Sequence, residues 1–148
     1  VELYVQLEEA RFESGDFEFY LEIDNREELQ NFMIPSLILQ PFIENAIKHG
    51  LLHKIGAKKL HLKIYREDEK YWCFEIEDNG IGREKSIERN KKFQKHKSFA
   101  TKSIDSRIAL INKLNTKPIL LSIVDLKDEF NNPCGTRVIL RIPYKIKA

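Results

Sequence analysis

The stretch of residues 35–50 combines an apolar helical pattern with polar groups that this pattern does not need. Its apolar residues recur at the three- and four-residue spacing of an amphipathic helix, and they are Leu37, Ile38, Phe42, Ile43, Ala46 and Ile47. At this period Asn45, Lys48 and His49 fall along one side, and Glu44 lies one turn from Lys48. An amide, an ammonium group, an imidazole and a carboxylate therefore converge on a small area, which makes this helix the first place to look for chemistry.

The ends of this helix carry ordinary signals. Ser36 is predicted as its N-cap and Gly50 as its C-terminal stop, and Pro41 is expected to kink or restart it. Judged on this stretch alone, the favoured interpretation is a core helix whose solvent-facing side carries Glu44 and Lys48 as an ion pair. A second stretch changes that balance.

The sequence Asp78-Asn-Gly-Ile-Gly82 directly follows a strand-like run. Its two glycines allow positive φ and a close approach of the backbone to a ligand, and Asp78 offers an acceptor at the end of the strand. Taken alone, the favoured interpretation is a tight polar turn, because Asn-Gly is a common hairpin dipeptide. The two stretches occur in a fixed order: a helix that carries an asparagine, then a two-stranded hairpin, then Asp-x-Gly-x-Gly. This combination is a more specific indication of function than either stretch alone.

Composition bounds the class of protein. The chain has 148 residues, of which 42% are hydrophobic and 32% charged, which is typical of one globular domain. No apolar run approaches the roughly 18 residues of a membrane span, and a net charge of +2 is too small to argue for nucleic acid. Two cysteines match neither a disulfide framework nor a zinc signature, so a reducing cytoplasm is expected. A start at Val1 without methionine suggests a piece of a longer protein.

Alternating and helical patterns predict the elements that must position these groups. Strands are predicted at residues 17–23, 60–65, 71–76, 119–125 and 135–143, and helices at residues 1–12 and 104–114 besides the helix already described. The second and third strands, separated by a charged turn, indicate an antiparallel hairpin. The order of elements predicts an α/β two-layer sandwich, with helices on one face of a mixed, mostly antiparallel sheet.

Together these motifs resemble the ATP-binding domain of the GHKL (Bergerat-fold) superfamily, and more closely the catalytic domain of LytS-like sensor histidine kinases. Residues 34–50 look like the N box of that family, and residues 78–82 look like its G1 box. Gly135-Thr-Arg-Val and the closing Ile142-Pro143 resemble the family's end, and residues 7–12 are similar to the segment after its phosphoacceptor helices. The resemblance implies that residues 1–14 are the tail of an upstream helix and residues 15–148 the catalytic domain.

The resemblance assigns roles at the helix. Asn45 would ligate the Mg²⁺ that bridges the nucleotide phosphates. Lys48 and His49 would lie near those phosphates during phosphoryl transfer. Glu44 would either orient the reacting groups or simply form an ion pair with Lys48.

The resemblance also assigns roles around the second motif. Asp78 would accept the exocyclic amine of adenine, which implies ATP rather than GTP. Gly80 and Gly82 would let the loop pass under the nucleotide, and Thr136 would sit by the adenine. Ser98, where the family's pattern expects a glycine, could instead offer its hydroxyl and, with Lys97 or Lys102, touch phosphate near the N-terminus of the following helix.

The chain departs from the family's pattern at two places. Pro41 stands where many histidine kinases carry a further asparagine. Ser98 and Ala100 fall where the second glycine box expects glycines, and Ala100 fits only if its φ is negative. Residues 83–100 are basic and poor in apolar groups, so they are expected to form a lid that is poorly ordered without nucleotide and orders when phosphates bind. A solvated surface loop is the competing interpretation.

None of the four histidines stands in a setting that resembles a phosphoacceptor helix; they are His49, His53, His61 and His96. The resemblance therefore implies a substrate histidine upstream of this chain, a response regulator that receives the phosphoryl group, and a homodimer formed through the upstream region. It implies a cytoplasmic domain of a parent protein attached to the membrane. Two alternatives stay open: a nucleotide-binding pseudokinase or regulatory module, motivated by Ser98 and Ala100, and a GHKL ATPase, which Pro41 disfavours because such enzymes place a water-activating glutamate there.

Overall fold

The computed structural model describes residues 16–30, 38–85 and 97–144, with backbone alone at residues 97–103. Its strands are β1 (Phe17–Ile23), β2 (Lys58–Arg66), β3 (Tyr71–Asp78), β4 (Leu120–Lys127) and β5 (Pro133–Pro143). Its helices are α1 (Arg26–Gln30), α2 (Gln40–Asn45), which continues into a π-helical turn (Ala46–Leu51), and α3 (Lys97–Leu114). The predicted helix at residues 1–12 lies outside the described residues.

The five strands form one sheet in the order β1-β2-β3-β5-β4. β1 runs parallel to β2, and the other neighbouring pairs are antiparallel. The predicted hairpin is confirmed as β2–β3, in which Leu60 lies opposite Asp78 and Arg66 opposite Trp72. The mixed, mostly antiparallel sheet is therefore confirmed, and β3 lies at its centre.

One face of the sheet forms the core together with the helices. Alternate residues of the central strands are buried there, among them Leu60, Leu62, Ile64, Trp72, Phe74 and Ile76. The same cluster contains Phe42 and Ile47 from the α2 region and Ile104 and Ile108 from α3. Burying apolar side chains between two layers is the main favourable contribution to folding, and it confirms the two-layer sandwich.

The opposite face of the sheet is polar and carries cross-strand contacts between polar side chains. His61 Nε2 lies 2.8 Å from a Glu22 carboxylate oxygen, and Arg137 Nε lies 2.7 Å from a Glu77 carboxylate oxygen. Such partly exposed pairs contribute little each to stability. His61, which the sequence placed in a strand, therefore lies on the sheet face away from the core.

The central helix starts and ends differently from the prediction. Its first residue is Gln40, so Pro41 lies in the first turn, where a missing amide hydrogen costs nothing; the predicted N-cap Ser36 lies outside the described residues. The predicted stop at Gly50 is wrong, because the helix widens into the π-helical turn and ends at Leu51. The amide of Leu52 donates to the Ile47 carbonyl at 2.8 Å, which is the i to i−5 spacing of a π-helix.

Helix α3 begins seven residues before the first apolar residue of the predicted pattern, since it starts at Lys97 rather than at Ile104. The predicted lid is therefore helical in its last part, residues 97–100, while residues 86–96 lie outside the described residues. No helix in the described ranges is both long enough and apolar enough to cross a membrane.

Candidate functional site

Asp78 ends the central strand β3 and is 4% exposed. One of its carboxylate oxygens accepts a hydrogen bond from the Gly80 amide at 2.9 Å. Burial raises the pKa of Asp78 to about 6, against the opposing effect of the Gly80 amide and of the Lys54 charge. A buried carboxylate with so few partners is costly unless it recognises something, which marks Asp78 as a candidate functional residue.

Three glycines surround Asp78, and we call these four residues the Asp78 cluster: Gly50, Asp78, Gly80 and Gly135. A Cβ at Gly50 would lie 2.7 Å from the Asp78 carboxylate, and a Cβ at Gly80 would lie 2.3 Å from the Gly50 backbone. A Cβ at Gly135 would lie 2.1 Å from the Asp78 carbonyl oxygen, and φ there is +139°. Gly50 therefore leaves room for Asp78 instead of ending the helix, a role that only its tertiary contacts reveal.

The two glycines of the second motif differ. Gly82 takes positive φ (+82°) and faces Pro133, whereas Gly80 does not take positive φ. The expectation of positive φ is thus confirmed for Gly82 and wrong for Gly80, whose missing side chain instead allows backbone to pack on backbone. Thr136 lies opposite Asp78 in the β3–β5 register, so the structure brings these two predicted residues together.

The predicted groups on the helix form a second cluster, which we call the helix-surface group: Glu44, Asn45, Lys48 and His49. Lys48 Nζ lies 2.5 Å from Glu44 Oε1, and the two side chains are 39% and 37% exposed. Asn45 and His49 are half-buried. Glu44 and Lys48 therefore form the helix-surface ion pair that the sequence allowed.

The helix brings the two clusters close together. Asn45 is the last residue of α2, and Gly50, five residues later, touches Asp78. At about 1.5 Å of rise per residue these positions lie roughly 7 Å apart along the axis. The Ile81 amide also donates to the Gly50 carbonyl at 3.2 Å, which joins the helix to the second motif. The two motifs noticed in the sequence thus form one continuous surface.

Two ion pairs hold the turn after the second motif. Arg83 binds Asp125 on β4 through two nitrogens, each 2.7 Å from a carboxylate oxygen. These hydrogen bonds, together with the Arg83 charge, lower the pKa of Asp125 below its usual value. Lys127 Nζ lies 3.3 Å from a Glu84 carboxylate oxygen. Arg83, which the sequence placed in the basic lid, is therefore paired with Asp125 on β4.

The remaining predicted residues lie in the first turn of α3. Lys97 and Ser98 have helical backbone, and so has Ala100. Helical backbone has negative φ, so the absence of glycine at Ser98 and Ala100 costs no backbone strain. The side chains of residues 97–103 are not described, so the predicted phosphate contacts of Lys97 and Ser98 stay predictions.

No protein-family model matches the chain. It is 29% identical to the sensor protein LytS of Bacillus cereus over 151 residues, which cover 99% of this chain and 24% of that relative. The histidine kinase domain of the Erythrobacter litoralis EL346 blue-light activated histidine kinase has a similar structure, with a TM-score of 0.62 and 11% identity over 97% of this chain and 58% of that one. Full-length ShkA in complex with AMPPNP is similar with a TM-score of 0.57 and 16% identity, over 99% of this chain and 30% of that one.

Proposed function

We propose that this chain, which belongs to the LytS-like sensor histidine kinases and has the fold of histidine kinase catalytic domains, binds ATP and supplies its γ-phosphoryl group to a histidine outside the chain. The chain spans about a quarter of the length of the LytS relative, so the activity of the whole protein is part of this proposal. The observation that carries it is the buried carboxylate of Asp78 within three close-packed glycines. The AMPPNP bound by the structurally similar ShkA supports it.

Asp78 would select adenine. A carboxylate accepts a hydrogen bond from the exocyclic amine of adenine, whereas guanine has a carbonyl oxygen at the same place and would meet it with repulsion. Because Asp78 is buried, leaving it without a donor is costly, and this makes discrimination strong. Thr136, opposite Asp78 in the sheet, lies where it would line the same contact. Gly80 and Gly82 would form the floor under the base.

The helix-surface group would face the phosphates. Lys48 and His49 supply donors and positive charge, and Lys97 and Ser98 at the start of α3 would add amide and side-chain donors. Glu44, paired with Lys48 at 2.5 Å, orients that lysine.

Asn45 would hold Mg²⁺ through its side-chain oxygen. Within the described ranges, no group of three or more His, Cys, Asp or Glu side chains could hold a metal ion. A single amide oxygen suits Mg²⁺, which takes its remaining ligands from phosphates and water. When bound, the ion would offset the phosphate charge.

The remaining parts of the reaction belong to a longer protein. The phosphoacceptor histidine would lie upstream of this chain, and a response regulator would receive the phosphoryl group afterwards. The catalytic domain would work in the cytoplasm, where ATP is available, as part of a dimer formed by the upstream region and attached to the membrane. The helical backbone at Ser98 and Ala100 removes the strain that motivated a pseudokinase.

Calorimetry with and without Mg²⁺ tests the nucleotide site. The unmodified chain should bind ATP more tightly with Mg²⁺, and Asn45→Ala should bind it equally with and without the ion. The variant should keep its thermal unfolding midpoint, because Asn45 is half-buried and outside the apolar core. An unchanged dependence on Mg²⁺ in Asn45→Ala would remove Asn45 from the metal site.

Phosphoryl transfer is tested in a full-length protein that carries this domain. Incubation with ATP labelled at the γ-phosphate should give an acid-labile phosphohistidine, and Asp78→Ala should abolish it at low ATP concentration. Labelling that persists undiminished in Asp78→Ala would contradict the proposed function.

A further inference from the structure

The loop of residues 52–57 is fastened to the end of β3 by hydrogen bonds that converge on Asn79. Lys54 Nζ donates to the Asn79 carbonyl at 2.6 Å. The Asn79 side chain accepts from the Lys59 amide at 2.7 Å and donates to the Ala57 carbonyl at 3.1 Å. Asn79 directly follows Asp78, and the Lys54 charge is near enough to oppose the rise in the pKa of the Asp78 carboxyl. Nothing in the spacing of the sequence indicates this contact, since 25 residues separate Lys54 from Asn79.

The charges around Asp78 come from several elements. Glu77 precedes it on β3 and raises its pKa, although Glu77 also binds Arg137 on β5 at 2.7 Å. The Lys54 charge acts in the opposite direction from the loop, together with backbone amides of Gly80 and Thr136. Two strands away, Asp125 is paired with Arg83. Lys54 is thus a cation that approaches Asp78 from outside the sheet.

We propose that Lys54 is a positioning residue for adenine recognition: its ammonium group, held on the Asn79 carbonyl, fixes the 52–57 loop against β3 and favours the charged form of the buried Asp78 carboxylate. A charged Asp78 accepts a hydrogen bond from the amine of adenine more strongly than a neutral one does. The role of Lys54 in adenine recognition rests on the proposed function. The effect of the Lys54 charge on the Asp78 carboxylate does not, because it exists without nucleotide. The two parts can therefore be tested separately.

The first experiment titrates Asp78 in the nucleotide-free chain by carbon NMR of its carboxyl group, identified by its absence in Asp78→Asn. Lys54→Met removes the charge and keeps the length of the side chain. Its Asp78 midpoint should rise, because the Lys54 charge that opposes the raised pKa is lost. Lys54→Arg should restore the midpoint, and Lys63→Met, which removes a lysine on the outer sheet face, should leave it unchanged. An unmoved midpoint in Lys54→Met would overturn the proposal.

The second experiment measures ATP affinity by calorimetry from pH 5 to 8. ATP binding should weaken as pH falls through the midpoint of Asp78, and in Lys54→Met this decline should start at higher pH. At pH 6 the loss relative to the unmodified chain should be about fivefold, if the midpoint rises by about one unit. Lys54→Arg should bind like the unmodified chain. If NMR shows the shifted midpoint but ATP affinity does not follow it, the role of Lys54 in adenine recognition is overturned. The preference of the unmodified chain for ATP over GTP tests the role of Asp78 in the proposed function separately.

Discussion

The Asp78 cluster and the helix-surface group lie next to each other but are built in opposite ways. In the Asp78 cluster, backbone packs on backbone, and an added Cβ at Gly80 or Gly135 would lie 2.3 Å or 2.1 Å from its neighbour. In the helix-surface group, Glu44 and Lys48 are more than a third exposed and touch each other. One cluster is fixed by the fold, whereas the other can rearrange in water.

This difference matches the two tasks that the proposed nucleotide site would perform. Selecting adenine needs a buried acceptor at a fixed place, because discrimination depends on leaving that acceptor unpaired when the wrong base enters. Binding phosphates that move during a reaction needs charges that can follow them. Changes in the Asp78 cluster should therefore alter stability as well as binding, and changes in the helix-surface group should alter binding alone.

The largest effect is expected from Gly80→Ala. Its Cβ would lie 2.3 Å from the Gly50 backbone, which cannot move aside without displacing the helix. The free energy of unfolding should fall by about 3 kcal/mol or more, at the upper end of overpacking effects. Urea unfolding measures this.

Gly56→Ala is the matched control for that variant. Gly56 has φ of +96° but no neighbouring atom within 4 Å of an added Cβ. It should therefore lose only about 1 kcal/mol, from backbone strain. Equal losses in Gly80→Ala and Gly56→Ala would show that the close packing of the Asp78 cluster is not what matters.

The second effect is a gain in stability from Asp78→Asn. The pKa of Asp78 is about 6 in the folded chain and 3.8 when exposed, so between these values the folded state holds a proton that the unfolded state has lost. The free energy of unfolding should therefore fall as pH rises from about 4 to about 6, by about 3 kcal/mol in total. Asn keeps the acceptor for the Gly80 amide, so Asp78→Asn should be about 2 kcal/mol more stable at pH 7.

Denaturation curves at pH 4 and pH 7 measure that effect. The gain in Asp78→Asn should shrink by pH 4 and vanish only well below the unfolded pKa of 3.8, where Asp78 is protonated in both states. ATP selectivity should be lost in the same variant. A variant that is less stable than the unmodified chain at pH 7 would contradict the view that this carboxylate is kept for recognition at a cost in stability.

A smaller effect is expected from Asp125→Asn. It breaks the two-bond contact with Arg83, but both side chains are partly exposed, at 35% and 47%. The free energy of unfolding should fall by less than about 1 kcal/mol. The measurement is urea unfolding at low and high salt, and the difference from the unmodified chain should shrink at high salt because exposed charges are screened. If the free energy of unfolding fell as much as in Gly80→Ala, the Arg83–Asp125 pair would belong to the closely packed Asp78 cluster instead.

The smallest effect on stability is expected from Lys48→Met. The exposed Glu44–Lys48 pair contributes less than about 0.5 kcal/mol, yet loss of a charged donor should weaken ATP binding about tenfold. Calorimetry together with thermal unfolding separates the two effects. A large loss of stability with unchanged ATP affinity would reverse the roles assigned to the two clusters.

The sequence predicted most of the sheet, because alternating apolar and polar residues indicate a strand with one buried face. β1 matches its predicted range, and the β2–β3 hairpin needed only the charged turn between two alternating runs. The sequence singled out Asp78, Gly80 and Gly82 as candidates because their motif follows a strand without a gap. Gly50 was found too but given the wrong role, since a glycine after a helical pattern is usually its stop.

Other parts of the site depend on contacts between residues far apart in the chain. Lys54 reaches Asn79 across 25 positions and Arg83 reaches Asp125 across 42, and neither pair leaves a periodic pattern. Helix α3 begins at Lys97, where basic and polar residues give no apolar spacing, so its first part was predicted as a lid. Single residues of this kind become visible only when the strands and loops are placed in space.

The most direct measurement compares ATP, inosine triphosphate and GTP as ligands of the unmodified chain by calorimetry with Mg²⁺. Inosine triphosphate has an oxygen where ATP has the amine that Asp78 should recognise. ATP should bind at least about tenfold more tightly than either of the others, which corresponds to about 1.4 kcal/mol, and Asp78→Ala should bind all three alike. Equal affinities for the three nucleotides in the unmodified chain would contradict the central claim that the buried carboxylate of Asp78 reads the base.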